Sequence, residues 1–435
     1  MPYQAGERLP PERASRLGHL DVLKSPLVKK FCESFDDPQP LAGVAPIATW
    51  RPISASDQPL NKVFAVDGSL QVIRNEIPPH RTLAFVKTAL LWVDQPALRS
   101  IDPHMPHPYA LRDLMSHSAL YHATVFPMRH VAVPGLTLYH AVRRGIFESV
   151  KDASLDDQPM ETLRWLAYEK WDTQHKGLPP FQCPHCESQK ATLPYDSESG
   201  PCPDCGKELL LTDMLGFHLE MADDAAPDSI AAAYMLIHET LLLFTGIRYY
   251  WEHNREVLAD CLFLKDGPLS IRAQYSKLVA PIRRFLQAAR ADGVPICIVG
   301  QEKSGAFVEH LQLIGPAAAP GSFFIPGHDY IRKEIQHRPT AGAPYGWDTN
   351  YGAKVFVKLS DRHQTVLSIP TGAYERDPAV SDLIGASEIF ATLPTLLSAR
   401  YEGGLFPIEL AHNIASLSTY PSAKVLAMFA EAAAP

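Results

Sequence analysis

Three consecutive runs constrain the fold more than anything else in the chain. "CLFLKDGPL" (261–269) reads as a strand, "QYSKLVAPIRRFLQAARADG" (274–293) as an amphipathic helix, and "VPICIVGQEKS" (294–304) as a second strand. A strand, a helix and a strand in that order close as a right-handed parallel crossover, so the chain must build an α/β sheet. "KVFAVDGSLQVI" (62–73) and "TLAFVKTALLWVD" (82–94) read as a two-stranded start to that sheet, and "AKVFVKLSDRHQTVLSIP" (353–370) as a later hairpin. Helices are expected over 228–259, 382–399 and 407–417, and through "METLRWLAYEKWDTQHK". Residues 1–60, rich in proline and polar residues, read as an irregular or partly helical lead-in. Residues 61–175 and 216–435 read as two parts of one domain, interrupted by a small insertion at 176–215.

Composition narrows the function classes. A net charge of −8 argues against a protein that coats nucleic acid through a broad basic face. It leaves room for an enzyme whose carboxylates hold divalent cations. The first thirty residues contain no apolar run of the signal-peptide kind, and the longest apolar stretch, "IAAAYMLIHETLLLFTGI", carries His238 and Glu239 at its centre. The expectation is a cytoplasmic chain with no membrane span.

Four of the seven cysteines form two C-x-x-C pairs, Cys183 and Cys186 in "CPHC" and Cys202 and Cys205 in "CPDC", fifteen residues apart. Two-residue spacing lets both thiolates of a pair reach one tetrahedral ion, and four thiolates close the site, so a structural Zn²⁺ is expected. Cys32, Cys261 and Cys297 lie among apolar residues and read as core positions.

Asp-Gly occurs twice after β-prone runs, at Asp67 and Asp266. As a dipeptide it commonly marks a turn. In open α/β sheets, however, strand ends project side chains into a shared crevice, where two such aspartates could meet one cation. A third acid would complete a two-metal site for phosphodiester hydrolysis. Glu239, on an otherwise apolar helical run, is the best candidate, with pairing to a buried arginine or a polar cap as its structural alternative; Glu252 and Glu256 lie farther along the same stretch. The basic group Lys277, Arg283, Arg284 and Arg290 reads as a solvated helix face or the lining of a DNA path, and the aromatics of "IRYYWEH" as packing.

The order of "VDGS", an acidic helix, "FLKDGPL", "VPICIVGQEKS", "KVFVKLSDRHQTVLSIP" and "GGLFPIELAHNIA" resembles the NurA nuclease family over residues 60–95 and 230–425. The resemblance implies an RNase H-like core with a mixed sheet flanked by helices, Mn²⁺- or Mg²⁺-dependent cleavage of DNA, a homodimer, and a hexameric HerA-type ATPase as partner in DNA end processing or antiviral defence. It implies Asp67, Glu239 and Asp266 as metal ligands, His412 as a histidine beside the metals, and Lys303 as a phosphate contact. Where the family tends to carry a tyrosine before that histidine, this chain has Phe406, with Tyr401 nearest. The zinc ribbon lies outside the family's common core. The competing reading is a zinc-ribbon adaptor of a DNA-processing complex in which Asp67 and Asp266 are solvent-facing turn residues.

Overall fold

A computed structural model describes residues 22, 24–34, 48–54, 58–75, 78–94, 101, 107–109, 112, 118–131, 133–174, 176–398, 400, 403–417 and 422–432. The chain divides into two compact units, Met1–Ala48 and Thr49–Pro435. In the first, helix α1 (Pro26–Glu33) is capped by Ser25, whose hydroxyl accepts from the Val28 amide. Cys32 sits on α1 and is exposed, not in a core as its apolar neighbours suggested, because α1 buries none of its residues.

The second unit is built on a mixed nine-stranded sheet. Its strands are β1 (Arg51–Pro52), β2 (Lys62–Arg74), β3 (Thr82–Asp94), β4 (Ala119–Arg129), β7 (Cys261–Asp266), β8 (Cys297–Glu302), β9 (Ser322–Phe324), β10 (Ala353–Lys358) and β11 (Gln364–Ile369). Their spatial order is β1-β9-β10-β11-β8-β7-β2-β3-β4. Helices are α2 (Leu138–Val150), α3 (Gln158–Ala167), α4 (Asp228–His253), α5 (Val279–Ala291), α6 (Ala306–Ile314), α7 (Ala386–Thr392), α8 (Phe406–Ala415) and α9 (Ser422–Ala432). Among the described residues only β2–β7 and β7–β8 pair in parallel, and α5 makes the crossover that the sequence demands between β7 and β8. β2 and β3 pair antiparallel over their full lengths, and β10 and β11 form the expected hairpin. The strand β4 and the helix α2 lie between the expected strand 82–94 and the expected helix through "METLRWLAYEKWDTQHK", a stretch with several His and Pro residues and no clear periodicity.

Strict alternation along the strands sorts two cores. Phe64, Val66, Ala84, Val86, Phe126 and Phe263 face α2, α3, α4 and α5, while Val63, Ala65, Leu91, Leu262, Leu264 and Val299 face α7 and α8. β7 lies in the sheet interior, and its apolar run is buried on both faces. α4 is apolar nearly all round because it is the central helix of the first core. By length and composition it could cross a membrane, but 72% of its most apolar window is buried inside the fold. It ends at His253, earlier than periodicity suggests, where Asn254 leaves helical geometry and a 3₁₀ turn (Arg255–Asp260) leads into β7.

The insertion holds a short hairpin, β5 (Ser199–Pro201) with β6 (Glu208–Leu210). It is fastened to α2 and α3 by polar ties. Tyr139 Oη donates to the Pro184 carbonyl at 3.0 Å, Tyr168 Oη to the Ser197 carbonyl at 2.7 Å, and Arg143 to the Glu208 carbonyl at 2.8 Å. Arg143 also forms a bidentate pair with Asp213 at 2.7 and 2.8 Å, both groups being buried. Removing one partner of such a pair leaves a buried charge without compensation. Arg143→Ala should therefore lower the unfolding free energy by about 3–5 kcal/mol in urea titrations. The double change Arg143→Met with Asp213→Leu should recover much of that loss; equal loss in both would show that the pair's charge is not the cause.

Candidate functional site

The first Asp-Gly is not a turn. β2 runs straight through Asp67 and Gly68, paired with Ala89 and Thr88 of β3. On its other side the parallel ladder to β7 stops at Val66↔Lys265, so from Asp67 onward β2 is paired only with β3. The second Asp-Gly does end its strand: Asp266 is the last residue of β7, and Gly267 turns with φ +83°. Asp67 and Asp266 thus stand where the parallel β2–β7 ladder ends, on the face covered by α8.

Each aspartate meets a basic side chain on that face. Asp67 is buried; its Oδ1 accepts from the Gly68 amide at 2.7 Å and its Oδ2 from His412 Nδ1 of α8 at 2.9 Å. The bond to Asp67 raises the His412 pKa above its ordinary value, outweighing partial burial. Asp266 Oδ1 lies 2.9 Å from Lys303 Nζ, which follows β8. Gln301, opposite Asp266 on β8, is fully buried and donates to Thr365 Oγ1 at 3.0 Å and to the Gly403 carbonyl, tying the lead-in of α8 to the strand ends.

Glu239 approaches from the opposite face, on α4. Its Oε1 would lie 2.6 Å from a Cβ at position 68, closer than any side chain tolerates, so glycine there is what lets the carboxylate reach the sheet beside Asp67. Its Oε2 is 2.6 Å from Nζ of Lys265, a fully buried residue of β7 that also donates to the Asp266 carbonyl at 2.9 Å. Burial drives the Glu239 pKa up to about 7; Lys265 pulls it down, and the Asp67 and Asp266 charges push it further up. Lys265 is pushed down by burial, but Glu239 more than offsets this and its pKa is raised. Glu239 is therefore paired with a buried cation, but with Lys265, which sequence reading passed over, and not with the arginine or polar cap expected as its structural alternative. The signal existed: alternation in "CLFLKD" puts Lys265 on the face opposite Asp266.

The other candidates lie elsewhere. Glu252 is thirteen residues beyond Glu239, about 20 Å along α4, and pairs with Arg248 at 2.9 Å. Glu256 is exposed in the following 3₁₀ turn. Arg283, Arg290 and Lys277 donate to backbone carbonyls, and Arg284 pairs with Glu169. They act as tethers. Of the aromatic run, Trp251 is buried against Phe285. Tyr401 lies outside the described residues.

The cysteines form a second site. All four sulfurs lie within 4.8 Å of one another, with Cys183–Cys205 and Cys186–Cys202 separations of 3.9 Å. A tetrahedral zinc thiolate with bonds of about 2.3 Å spaces its sulfurs by about 3.8 Å, and a disulfide needs about 2.05 Å. The cluster could hold a metal such as zinc. Its two knuckles repeat one another: Glu187 and Gly206 donate back to the Cys183 and Cys202 carbonyls, and both take left-handed backbone, φ +59° and +71°. Among the described residues this is the one group of three or more metal-ligating side chains gathered so closely; the three acids are not.

Two outcomes follow from this geometry. Purified protein should carry one zinc per chain by elemental analysis, and Cys202→Ser should lose it; full zinc in that variant would rule out the thiolate cluster as its seat. For Glu239, a folded pKa above the unfolded value of 4.5 favours the protonated form in the fold. Its stabilising contribution is complete below about 4.5 and is lost as pH rises through about 7. The stability difference between wild type and Glu239→Gln should therefore fall by about 3 kcal/mol over that window. A difference that grows with pH would mean that Lys265 alone sets the charge of Glu239.

Compared with known proteins, the chain matches no family model and no curated protein.

Proposed function

We propose that this protein is a divalent-cation-dependent DNA nuclease with an RNase H-like core that works with a hexameric HerA-type ATPase. The observation that carries this reading is the placement of Asp67 and Asp266 on one face where the parallel β2–β7 ladder stops, with Glu239 reaching Gly68 from the other face. The donor set suits the cation class: carboxylate oxygens are hard ligands preferred by Mg²⁺ and Mn²⁺. Asp67, Asp266 and Glu239 would hold Mn²⁺ or Mg²⁺. Such ions stabilise charge on the phosphoryl oxygens and acidify the attacking water.

The remaining work falls to side chains of this chain. Lys303, 43% exposed, can leave Asp266 for a phosphate oxygen of the substrate. His412, half exposed and with its protonated form favoured by the bond to Asp67, would neutralise charge at the scissile phosphate. An acidic protein does not attract DNA by long-range charge. A ring-shaped ATPase that threads DNA into a homodimer of this chain would meet that difficulty, in end processing or in antiviral defence.

Two observations favour the adaptor reading instead: the three acids are not gathered as closely as the thiolates, and Lys265 and Lys303 already neutralise two of them. Cleavage of labelled single- and double-stranded DNA separates the readings, with Mn²⁺, Mg²⁺ or EDTA and with or without the cognate ATPase. Activity should require the cation, and Asp67→Asn should cut it at least about a hundredfold, equivalent to several kcal/mol of lost transition-state stabilisation. A folded, zinc-loaded wild type that is inactive in every condition would establish the adaptor.

A further inference from the structure

Each candidate acid faces one basic side chain, and burial sorts the two lysines among them into two kinds. Lys265 is wholly enclosed, held by Glu239 Oε2 at 2.6 Å and the Asp266 carbonyl at 2.9 Å, between α4 and the sheet. Its ammonium cannot leave without carrying charge through a packed core. Lys303 is 43% exposed on its loop and bonded at 2.9 Å to Asp266 alone among the described acids. It can swing into solvent at little cost.

We infer that the two lysines have opposite effects on cation loading: Lys303 is an exchangeable counter-ion that a divalent cation displaces from Asp266, whereas Lys265 is a positioning residue that stays in place. The inference rests on the nuclease reading and deepens it. By holding Oε2, Lys265 leaves only Oε1 of Glu239 free, and Oε1 is the atom that occupies the space above Gly68. Glu239 is thus presented as a one-oxygen ligand in a fixed direction. Through the Asp266 carbonyl the same ammonium pins the end of β7, so one buried cation sets the spacing of two acids on opposite faces of the sheet. When a cation takes Asp266, Lys303 is released toward the substrate, so loading and phosphate recognition are coupled through one side chain.

Mn²⁺ titration of the zinc-loaded full chain, followed by electron paramagnetic resonance, tests this without relying on cleavage. Lys303→Met should tighten Mn²⁺ binding about threefold, the scale of an exposed ion pair. Lys265→Met should weaken it at least about tenfold, because Glu239 loses its fixed direction. Lys265→Met leaves a buried carboxylate unpaired, so Lys265→Met with Glu239→Gln is the folding control. That variant should regain the urea midpoint of wild type, which assigns the stability loss of Lys265→Met to the unpaired carboxylate; Mn²⁺ binding by Lys265→Met as tight as by wild type would overturn the inference. Weaker binding in Lys303→Met would do so as well. If wild type binds Mn²⁺ in an Asp67-dependent way while both lysine variants match it, this inference falls and the nuclease reading stands. If wild type binds no more Mn²⁺ than Asp67→Asn does, both fall.

Discussion

The close approach of α4 to β2 at Gly68 is the contact on which the strand-end arrangement depends. A Cβ at that position would collide with both the Glu239 carboxylate and the Met235 side chain, at 2.6 Å each. With hydrogen there, a buried acid reaches the sheet from one face while Asp67, the preceding residue, points to the other. The open side of β2 beyond Val66 places this contact at a break in the parallel ladder and not in its middle. Sheets bind ligands at such places because backbone pairing has ended and side chains converge.

Around this contact, burial sorts the charges by mobility. Glu239 and Lys265 share one enclosed space, so each makes the other affordable there. Asp67 is enclosed, yet its partner His412 is half exposed, and Lys303 beside Asp266 is more exposed still. The polar constellation therefore runs from a rigid interior to a solvent-facing rim, the order in which a site can be both pre-shaped and open to ligands. A second buried network flanks it: Thr88, opposite Gly68 in the β2–β3 ladder, bonds His238, the neighbour of Glu239 on α4, at 2.8 Å. That bond fixes the register of helix against sheet.

The ribbon contributes differently. Its two knuckles have matching backbone bonds, and its attachment to α2 and α3 runs through Tyr139, Arg143 and Tyr168. These ties lie on the face of the first core, whereas Asp67, Asp266 and His412 occupy the other. The insertion braces the helical layer that carries Glu239 and does not supply side chains to the acids.

Much of this was legible in the sequence. The crossover from β7 to β8, the two hairpins and the spacing of Cys183, Cys186, Cys202 and Cys205 follow from local periodicity and ligand geometry, which are properties of short segments. Asp67 and Asp266 could be singled out because an acid that follows an apolar β-prone run is locally unusual. The partner of Glu239 could not be assigned in the same way, since Lys265 is 26 residues away and meets it only when α4 packs on β7. Nor could the role of Gly68, which breaks no strand and turns no corner; its meaning lies in what it leaves room for. The sequence by itself determined the α/β sheet and the thiolate cluster. Only the tertiary structure decided which charges are locked and which are exchangeable, because burial is a property of packed neighbours and not of any one segment.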